Sequence, residues 1–219
     1  MTVSAKVIDF YKNFSLPSVL PSDIVVHNPY DDPMRQKAIE SFYKKFFADD
    51  EPRVHLIGIN PSRITETSSG INYTDGFALE NFCGITNDFS KSRELTSEFF
   101  YMVVEEFGSA ENFYKEIFAW AMMPFSVTRV SKYKNYYEDD VFDHLIDMVQ
   151  SNIQWISNLP KKGKVVIIGT GENKKMFESL PGSPFGYDNV QFLPHPRWIM
   201  QYKRAYVKNY VQQYVEFLG

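Results

Sequence analysis

Val54-His55-Leu56-Ile57-Gly58-Ile59-Asn60-Pro61-Ser62 joins a short apolar run to a turn, and the reading of that junction decides the fold. The run Val54–Ile59 has strand length and no polar face, and a strand that apolar is usually covered on both sides, as in a parallel sheet. Just upstream, Asp32-Pro33 reads as an N-cap followed by a first helical residue. Met34, Ala38, Phe42 and Phe46 then recur every fourth residue along one face. That amphipathic helix is predicted to end near Ala48, where Asp49-Asp50-Glu51-Pro52 stops it. Downstream, Pro61 to Gly76 is polar with neither helical nor alternating period. It is expected to be a long loop, of the kind that is functional or disordered.

Further strands and helices follow the same logic. Ile117–Met123 is a second strand stopped by Pro124, Lys164–Gly169 (K-V-V-I-I-G) is the clearest strand in the chain, and Asn189–Leu193 is a fourth. Glu138–Trp155 has helical spacing, with Val141, Leu145, Met148 and Val149 on one side and acids in its first turn. Val207, Val211, Tyr214 and Leu218 mark a carboxy-terminal helix. Strands separated by helices predict an α/β fold, a three-layer α/β/α sandwich around a central, mostly parallel four-stranded sheet. In such a fold the site collects at the carboxyl ends of the strands. Residues 1–219 are expected to form one domain, with 1–26 as a helical N-terminal extension.

Composition narrows the function. At 219 residues and 44% hydrophobic, the chain can bury one substantial core. The aromatic share, 16%, suits both that core and surfaces that stack on bases. No run of about 18 apolar residues is present and the amino terminus lacks a signal-peptide pattern, so a soluble, intracellular, cytoplasmic protein without membrane contact is expected. The only cysteine, Cys83, excludes an intrachain disulfide and a four-thiolate cluster, and neither metal nor cofactor is expected. The net charge of −4 divides unevenly: Lys161 to Lys208 holds nine Lys/Arg against three acids, +6, which leaves −10 for the remainder. Such a division predicts a basic face able to meet phosphates, although solvated lysines at helix ends would look the same.

Two segments carry chemistry. Gly58 lets backbone approach a ligand closely, and Pro61 fixes a turn that aims Asn60 out of the sheet edge. In Leu193-Pro194-His195-Pro196-Arg197, two prolines restrict the direction of His195, as an electrophilic or general-acid role requires. Asn-Pro after a strand is often only a turn, and a lone histidine is often structural. The shared edge of the sheet favours function for both.

Together these segments resemble the two active-site motifs of the uracil-DNA glycosylase superfamily, above all its single-strand-selective monofunctional type and bacterial relatives. His27-Asn28-Pro29-Tyr30, the helix after it and the run into Gly-Ile-Asn-Pro are similar to that family's N-P-x-x-Y segment, helix and G-M-N-P strand. Ser69-Gly70-Ile71-Asn72-Tyr73 resembles its T-G-V-P-F, Gly84-Ile85 its G-I, Lys134-Asn135 its R-N, and Val165 to Gly171 its V-V-G-V-G. The likeness runs from about residue 27 to the end.

The resemblance implies a monofunctional DNA glycosylase of bacterial origin, acting as a monomer on single- or double-stranded DNA that carries a damaged base. The base would be flipped into a pocket built by Gly58, Ile59, Pro61, Gly70, Tyr73, Ala121 and Asn135. Asn60 would position the attacking water and His195 would stabilise the negative charge growing on the departing base. No lysine Schiff base is implied, so the nucleophile is water. Tyr73 would stack on the base, although its residue type suits the core equally well. Ser62, Arg197, Trp198, Lys203 and Arg204 would contact DNA.

Two departures stand out. The family commonly has H-P-S-P-R-N, whereas here His195-Pro196 leads directly to Arg197-Trp198, so no wedge residue is assigned. When Phe118–Pro124 (F-A-W-A-M-M-P) is set beside F-V-H-N-L-C-P, Ala121 takes the place of the asparagine that reads uracil, unless it is simply a buried strand residue. Xanthine and hypoxanthine are therefore considered beside uracil as the released base. Two rival readings remain. A nucleotide-binding enzyme would use Gly169-Thr170-Gly171, but this lacks a third glycine and follows a late strand. A catalytically degenerate nucleic-acid-binding protein of the same fold would account for Ala121.

Overall fold

Thr2 caps the first helix, α1 (Val3–Asn13), by accepting the Ala5 N–H on its hydroxyl at 3.2 Å. The structure is a computed structural model and describes residues 1–14 and 20–219. After α1 come β1 (Ile24–His27), a 3-10 turn at Pro29–Asp31, α2 (Pro33–Phe46) and β2 (Arg53–Gly58). Next are β3 (Ser68–Ile71), β4 (Thr74–Asp75), α3 (Gly76–Asn81), α4 (Leu95–Glu106), α5 (Ala110–Glu116) and β5 (Ile117–Ala121). The chain continues through β6 (Ser126–Arg129), β7 (Lys132–Lys134), α6 (Asp139–Ser157), β8 (Lys161–Ile168) and α7 (Glu172–Ser179). It closes with β9 (Asn189–Leu193), α8 (Pro196–Tyr202), a 3-10 turn at Arg204–Tyr206 and α9 (Val207–Leu218).

The central sheet has the order β5-β2-β8-β9, and every neighbouring pair is parallel. Register pairs Val54 with Ile117, Leu56 with Val166 and Ile168 with Leu193. Helices flank it, giving the three-layer α/β/α sandwich expected from the sequence. All of β2 is buried, and Leu56, Ile57, Ile167 and Ile168 have no exposed surface. Burial of each such side chain stabilises the fold by roughly 1.5–3 kcal/mol. Asp32 caps α2 as anticipated, accepting Arg35 N–H at 2.9 Å, and the helix buries Ala38, Ile39, Phe42, Tyr43 and Phe46. Met34, placed on that face by the fourfold spacing, is instead exposed.

Arg53 opens β2 fully buried, yet no donor is stranded. Its Nε donates to Tyr114 O at 2.7 Å, and its two terminal nitrogens donate to the Asp49 carboxylate at 2.8 and 3.1 Å. That pairing closes the acidic turn onto the sheet. Cys83 is likewise buried, its Sγ 3.1 Å from Tyr101 Oη, and burial pushes the thiol up to about 12.

Several expectations need correction. The polar stretch from Pro61 to Gly76 contains a hairpin, β3–β4, held by polar side chains turned on their own backbone. Ser69 Oγ donates to Thr74 O at 2.5 Å and accepts Ile71 N–H at 3.1 Å, while Gly70 and Tyr73 take positive φ of 83° and 61°. Among the described residues of the N-terminal segment, Val3–Asn13 is helical and Ile24 begins a strand. That strand belongs to a second sheet, β1-β6-β7, which is antiparallel and escaped the sequence reading.

The basic face also dissolves. Lys161, Lys162 and Lys164 stand in the first half of an eight-residue strand. At about 3.3 Å per residue, Lys161 lies on the order of 20 Å from the carboxyl edge. Lys162 pairs with Glu116, Lys174 with Glu178, Lys175 with Glu172 and Arg204 with Glu98.

Candidate active site

At the carboxyl end of β2 the chain turns through Ile59, Asn60 and Pro61, and at the end of β9 it turns through Pro194, His195 and Pro196. Both turns open on one cavity of about 860 Å³. Of the residues expected there, Ile59, Asn60, Pro61, Ser62, Gly70, Tyr73, Ala121, Asn135, His195, Arg197 and Trp198 line it. Gly58, Lys203 and Arg204 do not. Gly58 lies beneath the wall: a Cβ there would meet the Tyr73 hydroxyl at 1.8 Å, so glycine is what lets Tyr73 lie over the strand. Lys203 sits with its Nζ 5.7 Å from the Trp198 ring, and Arg204 is held by Glu98 at 3.0 Å.

The Asn60 amide is fixed at both ends. Its Oδ1 accepts the Tyr136 N–H at 3.2 Å and its Nδ2 donates to Lys134 O at 3.0 Å. An N–H on one side and a carbonyl on the other leave only one orientation of the amide. One lone pair of Oδ1 stays available to a water.

His195 is both a lining residue and the N-cap of α8. Its Nδ1 accepts the Arg197 N–H at 3.1 Å, so a neutral ring carries its proton on Nε2. Burial, then the neighbouring Arg197 charge, pushes its pKa down to about 4. The ring is therefore neutral at physiological pH and offers one N–H donor.

Ala121 ends β5 with 2% exposure and lines the cavity. Its backbone is pinned from behind by Asn152. The Nδ2 of that residue donates to Ala121 O at 2.9 Å and Met122 O at 2.7 Å, while its Oδ1 accepts the Trp120 indole N–H at 2.9 Å. Tyr73 stacks one face on Phe100, with ring centroids 4.8 Å apart and 16° between planes. Asn135 accepts the Tyr133 hydroxyl on Oδ1 at 3.1 Å. Arg35 ties the opposite wall to α2 by donating to Ser68 O at 3.0 Å and Thr65 O at 2.8 Å.

Sequence reasoning missed His27, Arg63, Ser126, Tyr133, Tyr137 and Tyr202, all of which line the cavity. Tyr202 was within reach, since it lies four residues after Trp198 on one helix and leaves an aromatic pair exposed at the rim, 41% for Trp198 and 70% for Tyr202. Ser126, Tyr133 and His27 belong to the unread second sheet or its edges. The Gly169-Thr170-Gly171 turn lies outside the lining, and Gly169 packs against Asn173. Among the described residues, no group of three or more His, Cys, Asp or Glu is arranged to hold a metal ion, and no helix is long and apolar enough to cross a membrane.

A family model for the uracil DNA glycosylase superfamily matches residues 45–219. The chain belongs to the uracil DNA glycosylase superfamily. Within it the chain is SMUG-like. Wild-type SMUG2 of Pedobacter heparinus, known from a crystal structure, superposes with a TM-score of 0.91 at 31% identity, over 99% of this chain and 96% of that one. No curated protein matches the sequence. Membership places this superfamily chain among the DNA glycosylases of base excision repair, with DNA as its partner.

Proposed function

We propose that the chain is a monofunctional DNA glycosylase that hydrolyses the N-glycosidic bond of a deaminated base turned out of DNA into the cavity. The observation that carries this reading is the pairing of a neutral, Nε2–H-bearing His195 with a doubly anchored Asn60 amide on one cavity. In the reaction the base departs with the electron pair of the glycosidic bond, and negative charge grows on its carbonyl oxygens. A neutral imidazole N–H donates a hydrogen bond to that charge without having to surrender its proton, which suits a base that leaves as an anion. The Asn60 Oδ1 holds the water whose oxygen bonds to the sugar carbon, and as that bond forms the water's proton passes to solvent, from which the departed base anion is protonated. Asparagine is no base, so the rate gain comes mainly from charge stabilisation and placement.

Ser62, Arg63 and Arg197, exposed at the mouth, meet the flanking phosphates, while Trp198 and Tyr202 stand where a wedge must enter the duplex. The Ala121 methyl offers no hydrogen bond to a base edge, which favours release of xanthine or hypoxanthine beside uracil-type bases. Single-turnover base release from oligonucleotides bearing uracil, 5-hydroxymethyluracil, xanthine or hypoxanthine tests the proposal. Abasic sites from at least one of them are expected. DNA binding with no release from any would make the chain a catalytically degenerate binding protein instead.

A further inference from the structure

The depth of the cavity holds a polar group that no residue engages. Ser126 opens β6, is 1% exposed and lines the cavity, and its Oγ has no hydrogen-bond partner. Three buried side-chain oxygens stand unpartnered among the described residues, on Tyr11, Ser126 and Gln191, and only Ser126 belongs to the cavity wall. Native proteins seldom leave such a group unpaired unless a water or ligand completes it. Its neighbours do not supply one. Ala121 on the same wall is apolar, and His27, the register partner of Ser126 across the β1–β6 ladder, has its Nε2 on Thr128 Oγ1 at 2.9 Å.

We infer that Ser126 reads the extruded base, its hydroxyl taking the hydrogen-bonding role that Ala121 cannot fill. The inference rests on the glycosylase reading above. The glycosidic bond has to lie beside Asn60 and His195, which are partly exposed, so the edge of the base remote from the sugar goes deepest. In uracil that edge carries O4, and in xanthine and hypoxanthine it carries O6. Each is an exocyclic carbonyl. A serine hydroxyl donates to such an oxygen, or rotates to accept from the adjacent ring N–H, without distinguishing a pyrimidine from a purine. Ser126 thus supplies recognition of a deaminated edge that is shared among several bases.

The test compares wild type with Ser126→Ala in melting temperature and in kcat/KM for base release, on uracil and on 2-pyrimidinone, which lacks both O4 and the adjacent N3–H. The expected results are an unchanged or raised melting temperature, because an orphaned buried oxygen is removed, and a roughly tenfold loss on uracil. On the analogue the two proteins should match. A lowered melting temperature with equal losses on both substrates would mean a structural serine and overturn the inference. So would undiminished release of uracil by Ser126→Ala. Failure of the wild type to release any base would overturn the glycosylase reading and this inference with it, whereas an active wild type beside an equally active variant overturns this inference alone.

Discussion

Acid titration of base release tests how His195 works. Its ring is pushed down to a pKa of about 4 by burial first and the Arg197 charge second, against about 6.5 for an ordinary imidazole. The ring that accepts the Arg197 N–H on Nδ1 and keeps a proton on Nε2 is the neutral one. Activity should hold while the ring is neutral and fall as pH drops through about 4. A histidine with an ordinary pKa in the same role would cost about tenfold in rate between pH 7.5 and 5.5. His195 should cost less than roughly a tenth of the rate over that interval.

The shift also bears on stability. Below about pH 6.5 the unfolded chain takes up a proton that the folded chain refuses, so stability is lost as pH falls from about 6.5 towards 4. The loss at full titration is on the order of 3 kcal/mol for this residue. Single-turnover release from pH 5 to 8 with enzyme in excess reads the rate, an NMR titration of the imidazole C–H signals with His195→Asn to assign them reads the midpoint, and denaturant melts between pH 7 and 4 read the stability. A rate that halves near pH 6.5, or a His195 midpoint there, would refute the reasoning.

Three further outcomes are expected. Asn60→Ala should lower single-turnover release by roughly 10²-fold while DNA affinity changes little, since phosphate contacts supply most of the binding; a near-wild-type rate would remove Asn60 from the mechanism. Gly58→Ala should destabilise the fold by about 1–3 kcal/mol in thermal or denaturant melts, and Tyr73→Phe should restore part of that, because the worst contact is with the Tyr73 hydroxyl. Arg197→Ala should weaken binding to all DNA sequences alike and flatten its salt dependence, whereas Lys162→Ala, at the far end of β8, should leave both unchanged. Equal effects from the two substitutions would put DNA on a different face.

The central sheet was legible because β2, β5 and the carboxyl half of β8 are buried and therefore spell continuous apolar runs, as at Leu56-Ile57 and Val165–Ile168. β9 was located to the residue and β2 to within one. Asn60 and His195 could be paired without a structure because parallel topology sends both strand ends to the same edge. The β3–β4 hairpin was not legible, because its stability comes from Ser69 bonding backbone and from positive φ at Tyr73, a residue type that gives no such signal. The second sheet stayed hidden because Ile24 pairs with Arg129, far along the chain, and Lys132-Tyr133-Lys134 carries no apolar alternation. Ser126 was lost with it. A charge count along a segment failed for a related reason: it sums Lys161 and Arg197 although a strand's length separates them from a common face.

The buried thiol of Cys83 has a practical side. A thiol held near a pKa of about 12 is almost entirely protonated at neutral pH and closed to reagents, and the chain has no other. The native protein thus already serves as a background for site-directed labelling, with no cysteine to remove. A dye on Tyr202→Cys, at the aromatic rim, would report the arrival of DNA, and the same dye on Val130→Cys, exposed at the tip of the β6–β7 hairpin, would serve as its control.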